Sequence, residues 1–207
     1  ADAINNRVSV RLARLASDRN IRYIFVSSDV IFDGKRGNYS EKDKPNPVNF
    51  YASTKINAEK EILKICKDAV IVRPALFYGT AFKGRPSFTE IMLKNLYAGR
   101  QVFVFSDQYR SPISVKDLAK SIWELADHHF CGIIHLGGPE KLSRLEMGYL
   151  LCQIFSLDDN LIIPIRSEEA NLAASRPPDC SLDSSLAASL LKTNIQDYKS
   201  SLQLVFR

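Results

Sequence analysis

The chain contains 207 residues, 45% of them hydrophobic and 25% charged, a composition typical of a folded domain with a sizeable core. Its formal net charge of +5 is scattered, with no basic run longer than Lys35-Arg36, which argues against a nucleic-acid-binding module. No apolar run approaches the roughly 18 residues of a membrane-spanning helix, and no signal-peptide pattern occurs. We therefore expect no nucleic-acid partner and no membrane association.

The cysteines are widely separated and form no C-x-x-C pair; they are Cys66, Cys131, Cys152 and Cys180. Because no histidines and cysteines have the spacing of metal ligands, the sequence predicts no metal site. This use of cysteine favours a reducing, cytoplasmic compartment. The apolar helical surroundings of Cys66 and Cys152 predict buried thiols.

Apolar periodicity and turn residues predict alternating helices and strands along the chain. The first half reads as a helix over 1–20, a strand over 21–28, a loop over 29–47, a helix over 49–67 and a strand over 69–73. The second half reads as a helix over 87–98, a strand over 101–105, a loop over 106–112, a helix over 115–129, a strand over 132–138, a helix over 143–155, a strand over 161–165 and helices over 184–191 and 195–206. Pro74 ends the second strand because proline cannot donate to a ladder.

Tyr51 and Lys55 lie four residues apart and therefore share one face of the second helix. A lysine ammonium beside a phenol favours the phenolate, so Lys55 is expected to lower the pKa of Tyr51 and make it a general acid or base. Ser28 lies at the carboxyl end of a predicted parallel strand, where sheets of this kind bind ligands. Without these neighbours, Tyr-x-x-x-Lys is equally consistent with a polar pair on a solvated helix face.

Three charged or polar residues have two interpretations each. Asp29 is either a turn residue or a substrate contact. Arg110, in the loop 106–112, is either a surface charge or a partner for a substrate phosphate. His135 lies inside a strand, where a packed histidine is commoner than a catalytic one.

Five stretches together form a more specific pattern: VSSDVIFDG at 26–34, YSEKD with PNP at 39–47, YASTK with Ala58-Glu59 at 51–59, Arg73-Pro74 with Tyr78-Gly79, and Asp107-Gln108 with Ser111-Pro112 and Asp117-Leu118-Ala119. The pattern resembles the extended short-chain dehydrogenase/reductase superfamily and, within it, the dTDP-4-dehydrorhamnose reductase (RmlD-like) family. The resemblance implies an α/β fold: the C-terminal part of a Rossmann-like parallel sheet with a small α+β substrate-binding region. The dinucleotide-binding part would comprise 1–80 and 113–138, and the substrate-binding part 81–112 and 139–207.

The resemblance also implies an oxidoreductase that uses NADPH or NADH and a nucleotide-sugar, with a homodimer as the candidate assembly. Tyr51 would protonate the carbonyl oxygen of the substrate, Ser28 would hydrogen-bond the same oxygen, and Lys55 would hold the nicotinamide ribose. Ser27 would lie near that ribose, and Pro74 would contact the nicotinamide through its backbone. The substrate contacts implied are Asp29, Arg110 and Arg176.

Two positions depart from the pattern of the reductases, because Val30 and Leu76 stand where aromatic residues border the sugar. The substrate could therefore be a nucleotide-sugar other than the 4-keto precursor of rhamnose. A regulatory subunit resembling the β subunit of methionine adenosyltransferase is a second interpretation. An epimerase or a dehydratase of the same superfamily is a third.

The glycine-rich turn that binds a dinucleotide pyrophosphate does not occur in this sequence. Its only adjacent glycines, Gly137-Gly138, come late. We therefore expect these residues to be part of a protein of roughly 270–300 residues, judged by the family resemblance and a typical two-part size. The alternative is a natural short form without cofactor binding.

Overall fold

The computed structural model describes residues 1–170 and 172–206, and this part of the chain contains nine strands and seven α-helices. The strands are β1 (Tyr23–Val26), β2 (Ala69–Pro74), β3 (Phe77–Tyr78), β4 (Val102–Phe105), β5 (Tyr109–Arg110), β6 (Ile113–Ser114), β7 (Gly132–Leu136), β8 (Leu142–Ser143) and β9 (Ile162–Ile165). The helices are α1 (Ser9–Asp18), α2 (Phe50–Ile65), α3 (Phe88–Tyr97), α4 (Val115–Asp127), α5 (Arg144–Phe155), α6 (Ser185–Leu190) and α7 (Tyr198–Val205).

The main sheet is parallel and has the strand order β1-β2-β7. Every residue of the central strand β2 is buried, and its side chains alternate between two cores. Val70 and Val72 pack with Leu125 of α4, whereas Ile71 packs with Ala58 of α2. Helices thus cover both faces of a parallel sheet, as the predicted Rossmann-like α/β fold requires.

The remaining strands form pairs beside this sheet. Strands β3 and β6 pair in parallel, β4 pairs in parallel with β9, and β5 pairs antiparallel with β8. They enclose a separate apolar core with α3, α5 and α7, in which Met92, Val104, Leu151 and Leu202 are buried. This core lies beyond the carboxyl ends of β2 and β7, and it supports one side of the cleft described below.

Helix α1 accounts for only part of the helix predicted over 1–20. The predicted helix over 1–20 is a π-helical segment, Ala3–Val8, followed by α1. Small residues, Ala13 and Ala16, lie against the rest of the fold, because their size lets α1 approach α2 closely. The larger apolar residues of this region are exposed: Ile4, Val8, Leu12 and Leu15.

The helix predicted over 195–206 begins three residues later, at Tyr198, because Asp197 caps it. The buried thiols predicted at Cys66 and Cys152 are confirmed. Within residues 1–170 and 172–206, no helix combines the length and apolar character needed to cross a membrane.

Candidate active site

A cleft of about 350 Å³ opens at the carboxyl ends of β1 and β2. Its lining includes four of the residues proposed for the site from the sequence, namely Asp29, Tyr51, Arg110 and Arg176. Residues that follow neighbouring parallel strands meet at one edge of the sheet, which explains how positions so far apart in sequence converge. Val30 and Leu76, the two departures from the reductase pattern, line the same cleft.

Tyr51 and Lys55 lie on the first turns of α2, which Asn49 caps by accepting a hydrogen bond from the main chain of Ala52 at 2.9 Å. The Tyr51 side of the cleft is open, since this residue is 42% exposed. The Lys55 ammonium donates to the carbonyl of Val26 at 2.9 Å and lies 5.9 Å from the centre of the Tyr51 ring. The predicted shared face is therefore present, with Lys55 extended toward β1.

The expectation that Lys55 lowers the pKa of Tyr51 is wrong for this geometry. Partial burial raises the pKa of the Tyr51 phenol, a hydrogen bond with Ser28 opposes that rise, and the nearby Asp29 carboxylate adds to it. The Lys55 ammonium is drawn to a backbone carbonyl instead of the phenol oxygen, and burial lowers its own pKa. The phenol is consequently protonated at neutral pH, the form that can donate a proton.

The two serines after β1 point in different directions. Ser28 caps the short 3₁₀ helix Asp29–Ile31, and its hydroxyl donates to Asp29 Oδ1 at 3.2 Å. Ser27 is buried and its hydroxyl donates to Glu59 Oε1 in a short hydrogen bond. Ser28 therefore lies next to Asp29 and Tyr51, which line the cleft, whereas the Ser27 hydroxyl faces the core.

Glu59 belongs to a buried charged network behind Tyr51 and Lys55. The Arg73 guanidinium donates to Glu59 Oε2 at 2.7 Å, and both side chains are almost fully buried. His135, on β7, contacts Arg73 at 3.3 Å through Nε2, and burial together with Arg73 lowers its pKa to about 4. His135 is thus a packed, neutral residue, as predicted. Pro74 follows Arg73 as the last residue of β2 and is buried.

Asp29 and Arg110 form the opposite, closed side of the cleft. Asp29 is 5% exposed and Arg110 only 3%, so Arg110 is not a surface charge. The Arg110 Nη atoms donate to the carbonyls of Tyr109, Pro177 and Pro178 at 2.6 to 3.0 Å. Its Nε lies 3.5 Å from Asp29 Oδ2. Burial raises the pKa of Asp29, and Arg110 partly offsets that rise.

Arg144, at the start of α5, also lines the cleft, and the sequence reading missed it. Its guanidinium lies over the ring of Phe88, with 4.6 Å from Cζ to the ring centre. Burial lowers the pKa of Arg144 to about 10, so the group is charged at neutral pH. The only sequence signal here was the capping box formed by Ser143 and Glu146, which indicates a helix start and not a site. Arg176 is exposed at the mouth of the same cleft.

A late segment of the chain, 177–183, lies between the loop after β1 and strand β5. The main chain of Cys180 donates to the carbonyl of Tyr109 at 3.1 Å. On the other side, the main chain of Tyr39 donates to the carbonyl of Ser181 at 2.9 Å. The segment therefore joins two loops that are distant in sequence, and it closes the cleft on the side of Arg110.

The approach of this segment is close enough to require glycine at position 34. Gly34 has φ of +76°, and a Cβ atom there would lie 2.8 Å from the main-chain nitrogen of Pro178. Within the segment, the Cys180 thiol is fully buried with Sγ 3.8 Å from the carbonyl oxygen of Phe32. Burial raises the pKa of this thiol.

Comparison with known proteins gives a consistent family. A family model described as the RmlD substrate binding domain matches residues 1–207. Methionine adenosyltransferase 2 subunit beta of Rattus norvegicus is 30% identical over 191 residues, which cover 89% of this chain and 57% of that protein. The probable low-salt glycan biosynthesis reductase Agl14 of Haloferax volcanii is 30% identical over 188 residues, 88% of this chain and 62% of that protein. The chain spans little more than half the length of the curated relatives that it matches.

Solved structures share the fold. A dTDP-4-dehydrorhamnose reductase of Bacillus anthracis in complex with NADP superposes with a TM-score of 0.91 at 24% identity, over 100% of this chain and 72% of that one. A hypothetical dTDP-4-dehydrorhamnose reductase from Sulfolobus tokodaii gives a TM-score of 0.84 at 33% identity, over 95% of this chain and 68% of that one. These likenesses confirm the predicted fold class.

Proposed function

Because this chain belongs to the RmlD substrate-binding domain family, we propose that it carries the catalytic and substrate-binding residues of an NAD(P)H-dependent reductase acting on a nucleotide-sugar. In this proposal 1–80 and 113–138 belong to the dinucleotide-binding part, and 81–112 and 139–207 bind the substrate. The observation that carries it is that Tyr51, with Ser28 and Lys55 beside it, lines a cleft that three arginines also line.

Residues of this chain have separate roles in the proposed reduction. Tyr51, whose raised pKa means that the phenol is protonated at neutral pH, gives its phenolic proton to the carbonyl oxygen of the sugar. Ser28 donates a hydrogen bond to the same oxygen and stabilises the charge that develops there. In this structure the single Ser28 proton is donated to Asp29 Oδ1, so in this proposal the hydroxyl turns from Asp29 to the sugar oxygen when the substrate binds.

The nicotinamide cofactor, when bound, supplies the hydride. Lys55 suits the nicotinamide ribose, because its ammonium makes one hydrogen bond among the described residues and has three donors. Pro74 lies at the carboxyl end of β2, where the backbone reaches the same edge of the sheet. Ser27 has its hydroxyl on Glu59, so in this proposal its main chain faces the ribose.

The sugar is proposed as a 4-keto hexose of a nucleoside diphosphate, in line with the reductases named above. Val30 and Leu76 line the cleft and give it smaller walls than aromatic side chains would. A bulkier or differently substituted sugar than the rhamnose precursor fits such a cleft.

The test is oxidation of NADPH or NADH by the whole protein with a dTDP-4-keto sugar. We expect Tyr51→Phe to lower kcat by about 100- to 10,000-fold, the usual contribution of a general acid, with cofactor affinity retained. Tyr97→Phe, at an exposed tyrosine on α3, is the matched control and should turn over normally. Equal turnover by wild type and Tyr51→Phe would contradict the proton-donor role.

A second candidate function is supported by the relatives named methionine adenosyltransferase 2 subunit beta, at 29–31% identity. In that case the chain serves a partner enzyme, and the cleft binds ligand without turnover. Tight binding of NADPH together with no turnover of any 4-keto sugar would favour this candidate. A cofactor that stays bound throughout purification, with isomerised or dehydrated product, would favour an epimerase or a dehydratase.

A further inference from the structure

Three arginines line the cleft, and their hydrogen bonds differ. The Nη groups of Arg110 are committed to backbone carbonyls, and its Nε faces Asp29. Arg176 is exposed at the mouth. The Arg144 residue is partly exposed as a whole, but its Nη1 atom is buried without a hydrogen-bond partner among residues 1–170 and 172–206.

A buried N–H donor without a partner is costly, because burial removes the water that would accept its hydrogen bond. Nearby Arg110 and Arg176 repel Arg144, and Asp29 is the one carboxylate among the groups that act on it. The Asp29 Oδ2 atom is itself buried without a hydrogen bond in the described part of the chain. Three guanidinium groups therefore face one carboxylate, an excess of two positive charges.

The position of Arg144 is fixed from several sides. Strand β8 pairs with β5, so that Leu142 lies opposite Arg110 and Arg144 follows two residues later. The main chain of Arg144 donates to the carbonyl of Gln108 at 3.0 Å, and the Phe88 ring supports the guanidinium. A charged group held this firmly loses little freedom when a ligand arrives, which favours binding.

We propose that Arg144 binds the diphosphate of the nucleotide-sugar, with Arg176 closing over it and Arg110 holding the wall of the cleft. The diphosphate bridge of a nucleotide-sugar carries two negative charges, which match the excess of two positive charges, whereas a sugar carboxylate would balance one. This inference rests on the proposed function for the nucleotide-sugar, but its test requires no turnover.

The experiment is calorimetric titration of the whole protein with dTDP, with UDP, with thymidine and with glucuronate. Arg144→Gln is expected to weaken binding of the diphosphates by about 10- to 100-fold, since a hydrogen bond to a charged group is lost, and to leave thymidine binding unchanged. Arg144→Lys should recover part of the affinity because it keeps the charge but not the planar fork. Arg100→Gln, at an exposed arginine outside the cleft, is the matched control and should bind like wild type.

A structural role for Arg144 would give a different result. The ligand-free Arg144→Gln protein should melt no lower than wild type, because the variant removes a buried donor that has no hydrogen-bond partner among the described residues and a charge that Arg110 and Arg176 repel. A lower melting temperature with unchanged dTDP affinity would overturn the proposal, as would an Arg144 effect on glucuronate alone or no diphosphate binding by wild type. If Arg144-dependent dTDP binding occurs without reduction of any keto sugar, the reductase proposal fails and this inference stands.

Discussion

The two sides of the cleft differ in how they are built. The open wall, Tyr51 and Lys55, lies on the first turns of a helix and is accessible. The buried wall, Asp29, Arg110 and Arg144, is closed by the segment 177–183 and holds its charges away from water. The difference indicates a division of labour: groups that exchange protons with a reactant stay accessible, and groups that hold a charged substrate are desolvated and fixed in advance.

Each wall also has a different support. The open wall lies in front of the charged network of Glu59, Arg73 and His135. The buried wall depends on the close approach of Gly34 to the segment 177–183. Glu59 and Gly34 are not proposed to contact the substrate. Substituting each of them therefore tests the support of one wall at a time.

The largest effect is expected from Glu59→Ala, behind the open wall. It leaves the Arg73 guanidinium buried without its carboxylate, and breaking a buried pair in this way costs about 3–5 kcal/mol of unfolding free energy. Urea denaturation of the variant measures the loss. Glu61→Ala, on the same helix, removes an exposed pair with Lys64 and should change the unfolding free energy by less than about 1 kcal/mol. Equal losses in the two variants would show that the Arg73 charge does not depend on Glu59.

The next effect is expected from Gly34→Ala, which acts on the buried wall. The added Cβ would meet main-chain nitrogens of Pro178 and Asp179 at 2.8 and 2.9 Å, and the positive φ adds backbone strain. We expect a loss of about 2–4 kcal/mol, from strain of about 1 kcal/mol and overpacking of about 1–3 kcal/mol. Gly84→Ala is the control, because Gly84 also has positive φ but open space around it. Thermal denaturation compares the two variants. An equal loss of stability in Gly84→Ala would mean that backbone strain, without overpacking, explains the effect at Gly34.

The smallest effect is a pH dependence that arises from His135. Its pKa is about 4 in the folded chain and about 6.5 when unfolded, so the unfolded chain binds the extra proton between these values. The stability that His135 contributes is present above pH 6.5 and is lost as the pH falls toward 4, by on the order of 2 kcal/mol between pH 7 and pH 5. Urea midpoints at the two pH values measure it.

Charged groups also surround His135, and variants separate their effects on stability from that of His135. Arg73 and Asp183 act on His135 directly, and Glu41 accepts a hydrogen bond from its main chain. His135→Gln should flatten the pH dependence by the stated amount, whereas His129→Gln, at an exposed histidine, should not. If the unfolding free energy of His135→Gln depended on pH as that of wild type does, protonation of His135 would not be the cause of the pH dependence.

The sequence predicted the residues of the open wall because local patterns determine their positions. A four-residue spacing places Tyr51 and Lys55 on one helix face, and the apolar run before Ser28 places that serine at a strand end. The direction of the Tyr51 pKa was not predictable, since it depends on Lys55 reaching the carbonyl of Val26, on another element.

The buried wall depends on contacts that no local pattern encodes. Arg110 is buried because carbonyls 67 and 68 residues later accept its hydrogen bonds. Arg144 reaches the cleft only through the pairing of β5 with β8, two strands of two residues each. Similarly, periodicity predicted a helix at α1, but the choice of Ala13 and Ala16 as its buried face is set by the closeness of α2.

The buried thiol of Cys180 makes local opening of the segment 177–183 measurable. A thiol reacts with an alkylating reagent only as a solvent-accessible thiolate, and Cys180 is neither exposed nor easily ionised. Cys131 is exposed and will react at once. The slower rate of alkylation at Cys180 therefore reports how often this segment moves away from Phe32. A ligand bound at the buried wall would lower that rate.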